Sequence, residues 1–116
     1  MKKYLAIFLG SAKALEDWKK MDEEMRKKKD KLGMDAWMKW LVNNKKSIVD
    51  DGSPLGKTKK VTAGGIVDTK NEMGAYTIIE AESHEEAAKL FENHPHFMIF
   101  PGESIEIMEC IPMPTM

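Results

Sequence analysis

Tyr4 to Gly10 reads YLAIFLG, and the fold turns on what this stretch is. Met1-Lys2-Lys3 before it and Ser11-Ala12-Lys13-Ala14 after it imitate the basic region and small-residue cleavage site of a secretory signal. The apolar run is short for that purpose, and Lys13 falls inside the would-be cleavage site. As a strand it fits better: a buried run from Lys3 to Leu9, apolar on both faces and ended by Gly10. A strand of that kind needs helices on one side and a partner or a closed cavity on the other. No run approaches the roughly 18 apolar residues of a membrane span, so a cytoplasmic protein without a membrane partner is expected.

Working outward, Ser11 offers an N-cap to a helix whose apolar face is Leu15, Trp18, Met21 and Met25, at spacings of three and four. Arg26 to Lys31 is too charged to bury, and Gly33 is placed to stop or break the helix. Asp35 then caps a second helix with the stripe Trp37, Met38, Leu41 and Ile48, ending near Asp50-Asp51-Gly52. Both stripes read as core. Ser53 to Gly56 is a turn, Lys57 to Thr62 (KTKKVT) a short basic strand, and Ile66 to Lys70 a loop of weak strand character after Ala63-Gly64-Gly65. Ala75 to Ala81 (AYTIIEA) is the strongest strand by its aromatic and β-branched content. Ser83 and Glu86 form a capping box for a helix that buries Ala87, Ala88, Leu90 and Phe91, and that Pro95 cannot continue. Ser104 to Ile111 (SIEIMECI) closes the chain as a strand.

The order strand, broken helix, strand, strand, helix, strand predicts an α+β fold: a ferredoxin-like sandwich, its antiparallel sheet carrying the helices on one face. Because the strands are apolar on both faces, a second copy of the chain is the simplest cover for the other one. That gives a homodimer of the dimeric α/β barrel type. The 116 residues suit a single domain, 1–116.

Charge and composition exclude several functions. Eighteen basic residues stand against 19 acidic ones, and all the basic residues but Arg26 are lysines, which argues against a nucleic-acid partner. Cys110 alone forms no internal disulfide and lies beside no basic residue, so a packed thiol is expected. Ten methionines suit irregular gaps and adaptable interfaces. There is no Walker loop, no G-x-S-x-G, no H-E-x-x-H and no paired C-x-x-C.

Val61 to Tyr76 (VTAGGIVDTKNEMGAY) resembles the DGPF-domain branch of the YCII-related superfamily, which is named for a D-G-P-F-[AV]-E-[TS]-K-E signature. Gly64, Thr69 and Lys70 match it, Asp68 replaces the Glu, and Gly74 and Tyr76 match the G-[GA]-Y that follows. Ala63, Gly65, Ile66 and Asn71 depart from the pattern. The resemblance implies a dimeric α/β barrel, mostly of unassigned function, binding a small molecule. In YCII-like relatives a His of the first helical region and an Asp of a D-P-[FY] turn form an acid–base pair. Here the first His is His84, and His94 of His94-Pro95-His96-Phe97 takes the Asp place, so that dyad does not transfer.

Candidate chemistry therefore falls on other groups. In extended backbone, His94 and His96 would present two imidazoles on one side, about 6–7 Å apart, able to act as base and pKa-tuning neighbour or to share a metal. Alternatively, His94 caps the last carbonyls of the preceding helix and His96 sits in solvent. A third metal ligand is not evident, so no metal and no cofactor is expected. Asp68 and Lys70 could hold a polar substrate at a cavity mouth beside Tyr76, with Gly64 bringing main-chain N–H groups to an anion, or could simply anchor the signature loop. Three functions remain open: binding of a small polar organic molecule in a barrel cleft, cofactor-independent catalysis with His94 or His96 as general acid or base, and an interaction module without a pocket. A pocket reaching His94 and Tyr76 separates the first two from the third.

Overall fold

A computed structural model of the protein describes residues 1–114. In chain order its elements are β1 (Lys2–Gly10), α1 (Ala12–Lys20), α2 (Glu23–Asn43), a 3-10 turn (Lys45–Ser47), β2 (Ile48–Pro54), β3 (Thr58–Thr62), β4 (Gly65–Thr69), β5 (Met73–Ala81), α3 (His84–Lys89), α4 (Pro95–Met98) and β6 (Gly102–Glu109). Four strands make one antiparallel sheet in the order β2-β5-β1-β6, while β3 and β4 pair only with each other. Without that hairpin the sequence of elements is β-α-β-β-α-β. This is the expected ferredoxin-like α+β fold, with its antiparallel sheet and helices on one face.

YLAIFLG is the strand β1 at the centre of the sheet, paired with β5 on one side and β6 on the other. Its alternate residues Tyr4, Ala6 and Phe8 are almost completely buried, and their β5 neighbours Ile79 and Thr77 are buried with them. Ala81, Ala87 and Phe91 complete this core, against which Trp37 and Trp40 pack. The other alternate set, Leu5, Ile7 and Leu9 with Tyr76 and Ile78, is only half-buried and faces away from the helices.

Three expectations are corrected. The first helix ends at Lys20, with Met21 extended, and Asp22, Glu23 and Glu24 start the second one, their charges favourable to its dipole. The second helix then runs through Gly33 and Asp35 without a break. Gly33 lies against the Phe100 ring, where a Cβ would come within 2.5 Å of it, so the missing side chain serves packing rather than termination. Secondly, Ile48 to Gly52 is not the end of a helix. Asn43 to Ser47 ends α2 in polar, turn-forming residues, and the β-branched pair Ile48-Val49 opens the edge strand β2. Thirdly, the basic segment Lys57 to Thr62 is not the second core strand. Its β3 joins β4 in a separate hairpin arm, where Lys59 pairs with Asp68, and Asp50 Oδ1 accepts the Gly52 N–H at 2.9 Å.

Candidate functional site

A cleft of about 380 Å³ lies between α2 and the end of the sheet where β2 and β5 leave for the arm. Met34, Trp37, Met38 and Leu41, one stripe of α2, form one wall, and Phe8, Ala75 and the Asp51 to Pro54 segment form the other. His96 and Phe100 close the back. The lining holds one carboxylate, Asp51, and no lysine or arginine. Such a space accepts a small, largely apolar molecule and gives an anion nothing to pair with.

The two flanks are held by unusual close approaches. Gly52 has φ +75° and sits so near β5 that a Cβ would overlap the Tyr76 carbonyl oxygen. Thr77 Oγ1 donates to the Asp51 carbonyl at 3.0 Å across the same pair of strands. Tyr76 pairs with Ile7, whereas Phe8 pairs with Ala75. By strand alternation the Tyr76 side chain therefore points to the open sheet face, and its main chain borders the cleft.

In the His94-Pro95-His96 stretch only His94 has extended backbone; Pro95 and His96 open the helix α4, and neither imidazole is in solvent. Asn93, with φ 58°, turns the chain out of the preceding helix, and His94 caps the start of α4 rather than the end of α3. Its Nδ1 accepts the His96 N–H at 3.0 Å, which leaves the proton of the neutral ring on Nε2. Nε2 has no hydrogen-bond partner, and the ring is fully buried among Trp37, Trp40, Phe8 and Phe91, with centroids 4.5, 4.8, 5.1 and 6.0 Å away. Burial foremost, and then the neighbouring His96, lower its pKa from 6.5 to about 3. His94 thus belongs to the core behind the cleft.

His96 lines the cleft itself. Its Nε2 donates to the Leu9 carbonyl at 2.7 Å, and Gly102 lies flat on the ring, where a Cβ would come within 2.3 Å. Burial lowers its pKa, opposed by hydrogen bonds to the main chain of Leu9 and Ser104. The imidazole is consequently a fixed, neutral polar patch in an apolar wall.

The remaining sequence candidates lie elsewhere. Asp68 and Lys70 border a second, wider depression of about 670 Å³ at the root of the arm, together with Lys57 and Lys59. Asp68 accepts from Lys59 Nζ at 2.7 Å, and both side chains are exposed. Gly64 sits at the arm's tip, where its N–H meets Thr62 Oγ1. The structure thus brings His96 and the Tyr76 main chain to one cleft and leaves His94, Asp68, Lys70 and Gly64 outside it. Sequence reasoning assigned Trp37, Met38 and Leu41 to the core and gave Met34, Phe100 and Asp51 no ligand role. A usable signal was present in Met34, Trp37, Met38 and Leu41, a helical stripe that pairs adaptable thioethers with an indole. Among the described residues no three His, Cys, Asp or Glu side chains gather as a metal site, and no helix is long and apolar enough to cross a membrane.

Fold and cleft together define a ferredoxin-like α+β chain with an aromatic cleft between its long helix and its sheet. The chain is similar to a solved structure of 5-chloro-2-hydroxyhydroquinone dehydrochlorinase from Burkholderia phenoliruptrix in complex with 2,5-dihydroxybenzoquinone. The two share 22% identity over 90% of this chain and 89% of that one, with a TM-score of 0.52, a likeness of fold. No family model and no curated protein matches the chain.

Proposed function

We propose that the protein binds a small, flat organic molecule in the cleft between α2 and the sheet, as a YCII-like homodimer. The observation that carries this reading is the lining: Phe8, Trp37 and Phe100 supply ring faces, Met34 and Met38 an adaptable lip, and His96 a fixed polar contact, with no lysine or arginine. A dihydroxybenzoquinone bound to a protein of the same fold agrees with a ligand of that size and shape. The preferred ligand is thus more apolar than the charged loop residues Asp68 and Lys70 suggest. As for the dimer, the half-buried apolar set Leu5, Ile7, Tyr76 and Ile78 supports a partner over the open sheet face. Catalysis by His96 is the second reading, favoured by its place in the cleft wall.

Quenching of tryptophan fluorescence by a panel of neutral hydroquinones and quinones tests the first reading, because Trp37 lines the cleft. Ala75→Leu fills the cleft from the floor and is expected to weaken binding at least about tenfold. Quenching that is unchanged in Ala75→Leu, or absent from the wild type for every compound, would overturn it. Turnover of any bound compound that disappears in His96→Gln while binding persists would promote the catalytic reading.

A further inference from the structure

The hairpin β3–β4 stands off the body of the molecule. Every residue of β4 is exposed, as is β3 from Lys59 onward, and the two strands pack on each other and only marginally on anything else. The arm helps to give the described chain a radius of gyration of 16.2 Å, against about 13 Å for a compact chain of this length. A two-stranded hairpin alone in water is marginal. This one also exposes apolar side chains: Val61 and Ile66, directly paired near the tip, are 74% and 68% accessible, and Val67 is 56%.

Charge indicates what covers it. The segment from Lys57 to Lys70 holds four lysines and one acid, Asp68. Lys59 pairs with Asp68, and Lys57, Lys60 and Lys70 have no ion-pair partner among the described residues. The opposite balance lies on the sheet. Beyond Lys89 the sequence has no lysine or arginine, and β6 carries Glu103, Glu106 and Glu109. Glu106 pairs with Ile7 and Glu80 with Lys3, which puts both carboxylates and Lys3 on the open face beside Leu5, Ile7, Tyr76 and Ile78, whereas Glu109, opposite Tyr4, lies on the helix face and pairs with Lys2 at 3.6 Å. One chain therefore presents a basic arm with an apolar tip and an apolar sheet face with an acidic edge. The reach is also adequate: five residues carry the tip about 17 Å from its root, and four strands span about 14 Å.

We propose that the β3–β4 arm is a clasp for a second copy of this chain. It lies across the open sheet face of the partner subunit, with Val61 and Ile66 on the apolar centre and the lysines toward the acidic edge strand. The proposal rests on the homodimer reading and assigns the Val61 to Lys70 segment to assembly rather than to the cleft of its own chain.

Sedimentation of the full chain over a concentration series, wild type against Val61→Ser/Ile66→Ser, tests it. Both side chains are exposed, so thermal unfolding of the diluted variant should match wild type and certify its fold. The dimer dissociation constant is expected to rise at least about tenfold. In dimers of mixed isotope labelling, carbodiimide should join Lys57, Lys60 or Lys70 of one subunit to Glu80 or Glu106 of the other. A dimeric wild type whose variant dissociates no more readily overturns the clasp and leaves the homodimer standing. A wild type that is monomeric throughout overturns the homodimer reading, and the clasp with it.

Discussion

The two faces of the central sheet are nearly equal in sequence and unequal in structure. β1 contributes Tyr4, Ala6 and Phe8 to one and Leu5, Ile7 and Leu9 to the other, all apolar apart from one phenol. The first set is at most 1% accessible; the second is only half-buried. What differs is the cover. Phe8 meets the rings of Trp37 in α2, Phe91 in the turn after α3, and His94 and His96 at the start of α4, whereas Ile7 points to the opposite, half-buried face. Alternation in a strand says which residues share a face but not what lies over that face, and an apolar strand with two apolar faces states only that both need something.

The sharpest way to break this comparison is to truncate both faces at adjacent residues. Phe8→Ala removes the ring around which the aromatic cluster is built and should cost about 3–5 kcal/mol. Ile7→Ala, measured by urea unfolding of dilute protein, should cost only roughly 1–2 kcal/mol, because its methyls are partly in water already. The Ile7→Ala cost should grow with protein concentration if a partner covers the face, since binding partners stabilise by mass action. Equal costs in dilute solution would mean that the two faces are equally packed.

Acid probes the covered face through His94. His94 is neutral and buried in the native state, with its pKa lowered from 6.5 to about 3 by burial and then by His96. An unfolded chain takes up that proton as pH falls through 6.5, and the native chain does not until about 3. The unfolded state binds more protons across that interval, so stability must fall steadily as the pH is lowered from neutral. His96, also lowered by burial, acts in the same direction. The urea midpoint should therefore drop with acidification in wild type and drop less in His94→Gln. A midpoint that is flat from neutral to about pH 4 would place His94 in contact with solvent.

Much of this arrangement was legible, and the reasons for the rest are physical. YLAIFLG and AYTIIEA gave two central strands because a β-branched or aromatic run bounded by Gly has few other homes. The capping box at Ser83 and Glu86 placed α3, and the Ser83 side chain does accept the Glu86 N–H. Gly33 misled because a glycine's need for space, set here by the Phe100 ring, looks in sequence like a helix stop. Ile48 misled because it lies in helical phase with Leu41 although Asn43-Asn44 intervenes. In the cleft, His96 was legible as a chemical group, but its neighbours Phe8, Met34 and Phe100 come from distant parts of the chain. Spacing cannot assemble such a set. The KTKKVT strand was real, but its partner, the loop-like Gly65 to Thr69, made it an arm instead of a core strand.

The smallest expected effect concerns the arm's own stability. Lys59 Nζ and Asp68 Oδ1 are 2.7 Å apart across paired positions of β3 and β4, yet both side chains are mostly in water. An exposed pair of this kind contributes about 0.2–1 kcal/mol, and the arm shares little surface with the sheet. Asp68→Asn should therefore leave global urea unfolding within about 0.5 kcal/mol of wild type. Its effect should be confined to faster hydrogen exchange at the amides of β3 and β4, and high salt should remove the difference. If Asp68→Asn instead lowered global stability as much as Ile7→Ala does, the arm would be unfolding together with the sheet. Its separation from the body, on which its role as an independent reach toward a second chain depends, would then be wrong.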